Sequence, residues 1–120
     1  MIDYIDVIPS LVQFLKGRLD IDVYGNTFPE SFMLPALVVK SAGGTDFTRL
    51  QLLVRAGKDH EAMQVLINVI NLLERYANQI KGIRVIWCVR ETNPVPSIDP
   101  DNNVAQSWCY MRLEHLEAEG

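Results

Sequence analysis

The chain has 120 residues and a mass of 13.6 kDa, with 48% hydrophobic and 22% charged side chains, a net charge of −4 and a pI near 5.0. That composition excludes a disordered chain, a collagen and a coiled coil, and it fits one globular domain over 1–120. The acidic balance disfavours a polyanion ligand, because strong nucleic-acid binders carry an excess of base.

No apolar run is long enough to span a bilayer, and the acidic start Met1-Ile2-Asp3-Tyr4-Ile5-Asp6 is unlike a secretion signal. The expectation is a protein made in the cytosol, with no membrane partner. Two cysteines make no disulfide framework.

The first periodic segment is 7–19, where Ile8, Leu11, Val12, Leu15 and Leu19 recur at helical spacing. Asp6 suits its N-cap, Pro9 its first turn, and Lys16 and Arg18 the negative end of its dipole. Residues 20–24 read as a short strand, broken by Gly25-Asn26 and Pro29. Residues 36–42 form a β-rich run entered at Pro35, and Gly43-Gly44 permits a turn with positive φ. Residues 48–56 then alternate Leu50, Leu52 and Val54 against Arg49, Gln51 and Arg55. Leu53 interrupts the polar side and implies that it is partly covered. The two runs predict a β-hairpin.

A long helix is predicted over 60–80, with Asp59 as N-cap and Glu61 in its first turn. Met63, Leu66, Ile67, Ile70, Leu73, Ala77 and Ile80 form one apolar stripe, widened by Val65, Val69, Leu72 and Tyr76. A stripe this wide packs on more than one side or faces a partner chain. Lys81-Gly82 closes the segment. Residues 83–91 read as a strand with Ile83, Val85, Trp87 and Val89 on one side and Arg84, Ile86, Cys88 and Arg90 on the other. Residues 92–103 read as loop, 104–116 as a long final strand, and 117–120 as an acidic tail expected to fray. The predicted class is α+β: an antiparallel or mixed sheet of about five strands against two main helices, in the order α-β-β-β-α-β-β.

No catalytic, cofactor-binding or metal-ligating constellation emerges. His60 and His115 belong to no ligand spacing, and Gly43-Gly44-Thr45 lacks the features of a phosphate loop. Asp99 and Asp101 miss the calcium-loop pattern and read better as turn formers. Pairing the last two strands about Ile98–Asp99 sets Cys88 against Cys109, Trp87 against Tyr110 and Val89 against Trp108. That spacing permits a disulfide, although two reduced thiols are the better reading for a cytosolic protein. Trp87, Trp108 and Tyr110 read as core, subunit interface or a stacking platform. Arg49, Arg55, Arg84 and Arg90 project from predicted strands. They line a solvated face or meet an acidic neighbouring subunit, two readings preferred together over contact with a polyanion.

The chain resembles a known family over roughly 1–116. The carrying residues are Leu34-Pro35-Ala36-Leu37-Val38-Val39, Gly43-Gly44, the strand from Arg49 to Ala56, the helix start Lys58-Asp59-His60-Glu61-Ala62, and a closing long strand with Trp108 and Arg112. In length and element order this is similar to the tail terminator (tail completion, or minor capsid) proteins of tailed bacteriophages. The resemblance implies a non-enzymatic virion protein of the tail or neck with no cofactor. It would form a homo-oligomeric ring, commonly a hexamer, that stops polymerisation of the tail-tube protein and offers a surface to the head–tail connector. Nucleic acid is not expected as a sequence-specific ligand. A ring needs two different patches on each subunit. The interface candidates are Arg49, Arg55, Arg84, Arg90, Trp87 and Trp108, together with Asn93, Asp99 and Asp101 at a hairpin tip. The alternatives are a neck protein that docks on the portal side and a non-viral binding module.

Overall fold

Among the described residues, helical spacing and alternation resolve into two helices, a 3-10 turn and six strands. The computed structural model describes residues 5–116. In chain order the elements are α1 (Ile8–Lys16), β1 (Asp22–Gly25), β2 (Ala36–Ser41), β3 (Thr48–Ala56), α2 (Asp59–Tyr76), a 3-10 turn (Ala77–Gln79), β4 (Arg84–Arg90), β5 (Val95–Ile98) and β6 (Ala105–Leu116). The predicted tail 117–120 lies outside the described residues.

The fold is α+β, with one mixed sheet packed against both helices. Its strand order is β1-β2-β3-β6-β4, and β5 also pairs with β6. β1 runs parallel to β2, and every other pairing is antiparallel. The predicted β2–β3 hairpin forms, closed where Ala42 N–H donates to the Arg49 carbonyl and Arg49 N–H to the Gly43 carbonyl, both at 2.7 Å.

Alternation along β3 sorts the molecule into two sides. Thr48, Leu50, Leu52, Val54 and Ala56 are buried, and the residues between them are half-buried. Leu50, Leu52, Val54 and Ala56 meet Ile8, Leu11 and Leu15 of α1 and Ala62, Leu66, Val69, Ile70 and Leu73 of α2 in one cluster, joined by Leu37, Val39, Cys88, Cys109, Met111 and Leu113. Each large aliphatic side chain buried there contributes about 1.5–3 kcal/mol. Within the predicted stripe of α2, Met63 and Ile67 are only half-buried, while Ala62 and Val69 take inward positions.

The helix ends depart from expectation: α1 ends at Lys16 rather than 19, and Val7, not Asp6, occupies its N-cap position. The Asp6 carboxylate accepts the Ile8 N–H at 3.0 Å, which satisfies one orphan donor of α1. Asp59 is the first residue of α2 rather than its cap; Lys58, extended and without a side-chain cap bond, precedes it. Asp59 and Glu61 still lie in the first turn, where the dipole favours acid. The helix stops at Tyr76 and tightens into the 3-10 turn, short of the predicted 80.

The far side of the sheet departs from the predicted register. Residues 92–103 contain a strand, because β4 and β5 share β6: β4 runs along Met111–Leu116 and β5 along Ala105–Trp108. Between them the chain leaves the ladder. Glu91 and Thr92 both donate to the Tyr110 carbonyl, at 2.9 and 3.3 Å, and the Thr92 hydroxyl accepts the Tyr110 N–H at 2.9 Å. This excursion slides the pairing. Cys88 lies opposite Leu113, Trp87 opposite Glu114 and Val89 opposite Arg112. Cys109 faces Leu52 and Trp108 faces Leu53. An irregularity between Val85 and Trp87 also changes the parity of β4. Val85 packs against the core with Cys88, while Trp87 and Val89 turn outward, so the predicted division of this strand fails at that step.

Candidate interaction surface

Both helices lie on one side of the sheet, and the opposite side carries no helix among the described residues. Directly opposed residues share a face, so the ladders define its rows. One row runs Tyr24, Val38, Leu53, Trp108 and Val95 across β1, β2, β3, β6 and β5. A second places Ala36, Arg55, Gln106 and Ser97 side by side, and a third Arg49, Arg112 and Val89.

The connection 26–35 covers the β1–β2 end of this face, which explains why Ala36 and Val38 are fully buried although they point away from the helices. Phe28 and Phe32 stack at 4.6 Å, and Tyr24 meets both edge-on at 6.3 and 6.4 Å. The Arg55 guanidinium lies 4.5 Å from the Phe28 ring centre. Desolvation, then the charge and hydrogen bond of neighbouring Asp22, raises the Tyr24 phenol above its ordinary pKa. The remainder of the face is open. Trp108 and Tyr110 pack edge to face at 5.4 Å, and a shallow cleft of about 380 Å³ lies between Arg49, Glu91, Thr92 and Tyr110.

The four candidate arginines do not form one cationic face. Arg49 and Arg55 sit on the open side. Arg49 Nε meets Glu91 Oε1 at 2.8 Å, and this hydrogen bond, followed by the charge of Glu91, raises the guanidinium pKa further. An Arg55 guanidinium nitrogen meets Asp99 Oδ2 at 3.2 Å. Arg90 sits on the helix side: Glu74 of α2 accepts both its backbone N–H at 3.1 Å and its Nε at 3.4 Å. Arg84 is exposed at the far end of β4, opposite Leu116. Arg112, which periodicity places beside Arg49, belongs to the same surface and meets Glu114 at 2.7 Å.

Asp99 is buried, 5% exposed, rather than displayed at a tip. Its carboxylate accepts the Asp101 N–H at 3.0 Å and the Asn102 side-chain amide at 3.1 Å, in addition to Arg55. It therefore organises the β5–β6 turn, the turn-forming role predicted for it. Asp101 and Asn93 are exposed. Asn93 stands beside a groove of about 300 Å³ between α2 and the excursion, near Met63, Ile67 and Pro94. Trp87 is 52% exposed on the open side and Trp108 is half-buried there.

Groups capable of catalysis are dispersed. Cys88 and Cys109 are free and buried, and desolvation pushes both thiols up to about 12. His115 Nε2 lies 3.0 Å from the Thr48 hydroxyl, and His60 is exposed at the start of α2. Among the described residues no three His, Cys, Asp or Glu converge on a metal-sized site, and no helix is long and apolar enough to cross a membrane.

Comparison with known protein families and with curated proteins finds no match to this chain.

Proposed function

We propose that this chain is a structural protein of a tailed-phage particle, which caps the tail tube as a ring, ends tube growth and presents a surface for joining to the head. The observation that carries the proposal is the open sheet face. Leu53, Trp108 and Val95 form an apolar band, and the arginines flanking it are matched by the chain's own acids, Glu91, Asp99 and Glu114. A small-molecule site would be concave, and a polyanion site would leave cations uncompensated. A broad, internally neutralised face with aromatic residues suits the surface of another protein. The resemblance in element order to tail terminator proteins supplies the identity of that partner, the tail-tube protein.

The test is to add the purified protein to polymerising tail-tube subunits and to measure tube lengths by negative-stain microscopy. Growth stops and an annulus sits on one tip. Val95→Glu, at the exposed end of the apolar band, loses capping while its melting temperature is unchanged. Tubes that elongate as before would overturn the proposal. Binding to filled heads in place of tubes would move the protein to the portal side of the joint.

A further inference from the structure

A cleft of about 240 Å³ opens between α1 and the segment that follows α2, and its lining shares no residue with the open sheet face. Ser10, Gln13 and Gly17 lie three and seven positions apart, so they share one side of α1 and its end. Gly17 puts no side chain into the space. Gln79 and Lys81 form the opposite wall. Gly82, at φ +94°, sets how closely the walls approach: a Cβ there would lie 2.8 Å from Ser10 Oγ. Two cations line the cleft, Arg18 and Lys81, and among the described residues no Asp or Glu lines it. Arg49, Arg55, Arg90 and Arg112 each meet a carboxylate of the chain. Arg18 is held by neutral groups instead. A terminal nitrogen donates to Gln79 Oε1, and the guanidinium carbon lies 4.9 Å from the Phe14 ring centre and 5.7 Å from that of Tyr76. These contacts orient the guanidinium without neutralising it.

We infer that this cleft binds a phosphoryl oxyanion, at a site independent of the tube-capping reading. The C-terminal end of α1 at the cleft carries only about half a negative charge, so the two cations dominate the local field. Gln79 takes up part of the Arg18 fork, which hinders the two-point grip that suits a planar carboxylate. Lys81 adds a point charge from the facing wall, and the Ser10 hydroxyl and the Gln13 amide add neutral donors. Donors that come from two walls around two positive charges match a tetrahedral dianion. The net charge of −4 is no obstacle, because one phosphoryl group needs only this local excess of base.

Amide NMR of the whole chain tests the site, with inorganic phosphate replacing chloride at constant ionic strength and at pH 8, where the phosphoryl group is a dianion. Phosphate shifts the backbone signals of Ser10, Gln13, Gly17, Arg18 and Lys81 along one saturable curve. Arg18→Gln and Lys81→Gln, both at exposed positions, each weaken binding by about tenfold or more, and thermal melts verify that both variants fold. Lys58→Gln, exposed and outside the cleft, leaves the affinity unchanged. Shifts that grow without saturating, acetate bound as tightly as phosphate, or variants at 18 and 81 that bind like the wild type would overturn the assignment. Free phosphoserine and a short peptide carrying phosphoserine separate two sources of the same group. Equal affinity assigns a small phosphate monoester, and tighter binding of the peptide assigns a phosphorylated protein segment; either result upholds the site. A peptide that binds equally well without its phosphate would overturn it.

Discussion

Arg49 and Arg112 stand directly opposite one another across β3 and β6. Like charges in that position repel. The repulsion is relieved in two ways: Glu91 takes Arg49 and Glu114 takes Arg112, at 2.8 and 2.7 Å. The Phe47 ring lies beneath both guanidinium groups, 3.9 Å from Arg112 and 5.6 Å from Arg49 at the ring centre. The pair predicts a compensating cycle. Glu91→Gln lowers stability by about 0.5–1 kcal/mol, because exposed pairs are worth little individually but their loss leaves two facing cations. Arg112→Met added to Glu91→Gln restores most of it. Urea denaturation at low salt measures both, and added salt shrinks the difference.

Asp99 is the only charged residue buried among those described, and three donors converge on its carboxylate. Asp99→Ala leaves one terminal nitrogen of Arg55, the Asp101 N–H and the Asn102 amide without their acceptor, while Arg55 Nε keeps Gln106 Oε1, and it destabilises the protein by about 2–3 kcal/mol. Asp99→Asn costs roughly half as much, because an amide oxygen still accepts the Asp101 N–H. Chemical denaturation of the two variants separates the turn from the ion pair.

The β2–β3 turn places Gly43 at φ +92° and Gly44 at φ +107°. A Cβ on Gly43 meets open space, whereas one on Gly44 runs into the Phe47 carbonyl oxygen. Gly44→Ala therefore destabilises by about 2–3 kcal/mol and Gly43→Ala by about 1 kcal/mol, the cost of positive φ alone. Thermal melts that rank the two in the opposite order would contradict this geometry.

Burial raises both thiols from an ordinary 9.0 to about 12, so they stay neutral in the folded state at pH values where the unfolded chain ionises. Their contribution to stability is complete below pH 9 and declines as pH rises toward 12. In that window each thiol adds a slope of up to about 1.4 kcal/mol per pH unit. Cys109→Ala flattens the curve. At pH 8 neither thiol reacts with a disulfide reagent until denaturant is added.

Sequence reading reached the elements whose signal is carried by their own residues. The alternation of 48–56 fixes β3, and the spacing from Leu66 to Leu73 fixes the inner side of α2. Asp99 is legible because a short acceptor near a chain reversal hydrogen-bonds the backbone, whereas Asp6 does so from one residue before the N-cap position, which Val7 occupies. What was missed depends on partners. Proline at position 96 argues against a strand, and β5 forms only because β6 offers an unpaired stretch beside it. β1 has four residues and no pattern that distinguishes parallel from antiparallel pairing. The site followed the same division. Arg49 and Arg55, an even number apart on a regular strand, share a face as alternation requires. Arg84 and Arg90 are separated by the irregularity at Val85–Trp87, which no single residue announces.

β6 is the last described strand in sequence, yet it lies between β3 and β4 and also carries β5. Thr48 finds its partner at Leu113, so much of the sheet depends on contacts far apart along the chain. Such contacts form slowly, because chain closure costs entropy before the contact rewards it. Until residues 105–116 have left the ribosome, β3 has one unpaired edge and β4 and β5 have no common partner. The fold is therefore acquired late and nearly all at once. Nascent chains crowded on one messenger would present the bare edge of β3 to each other, which makes this interval, rather than the finished subunit, the stage most exposed to aggregation.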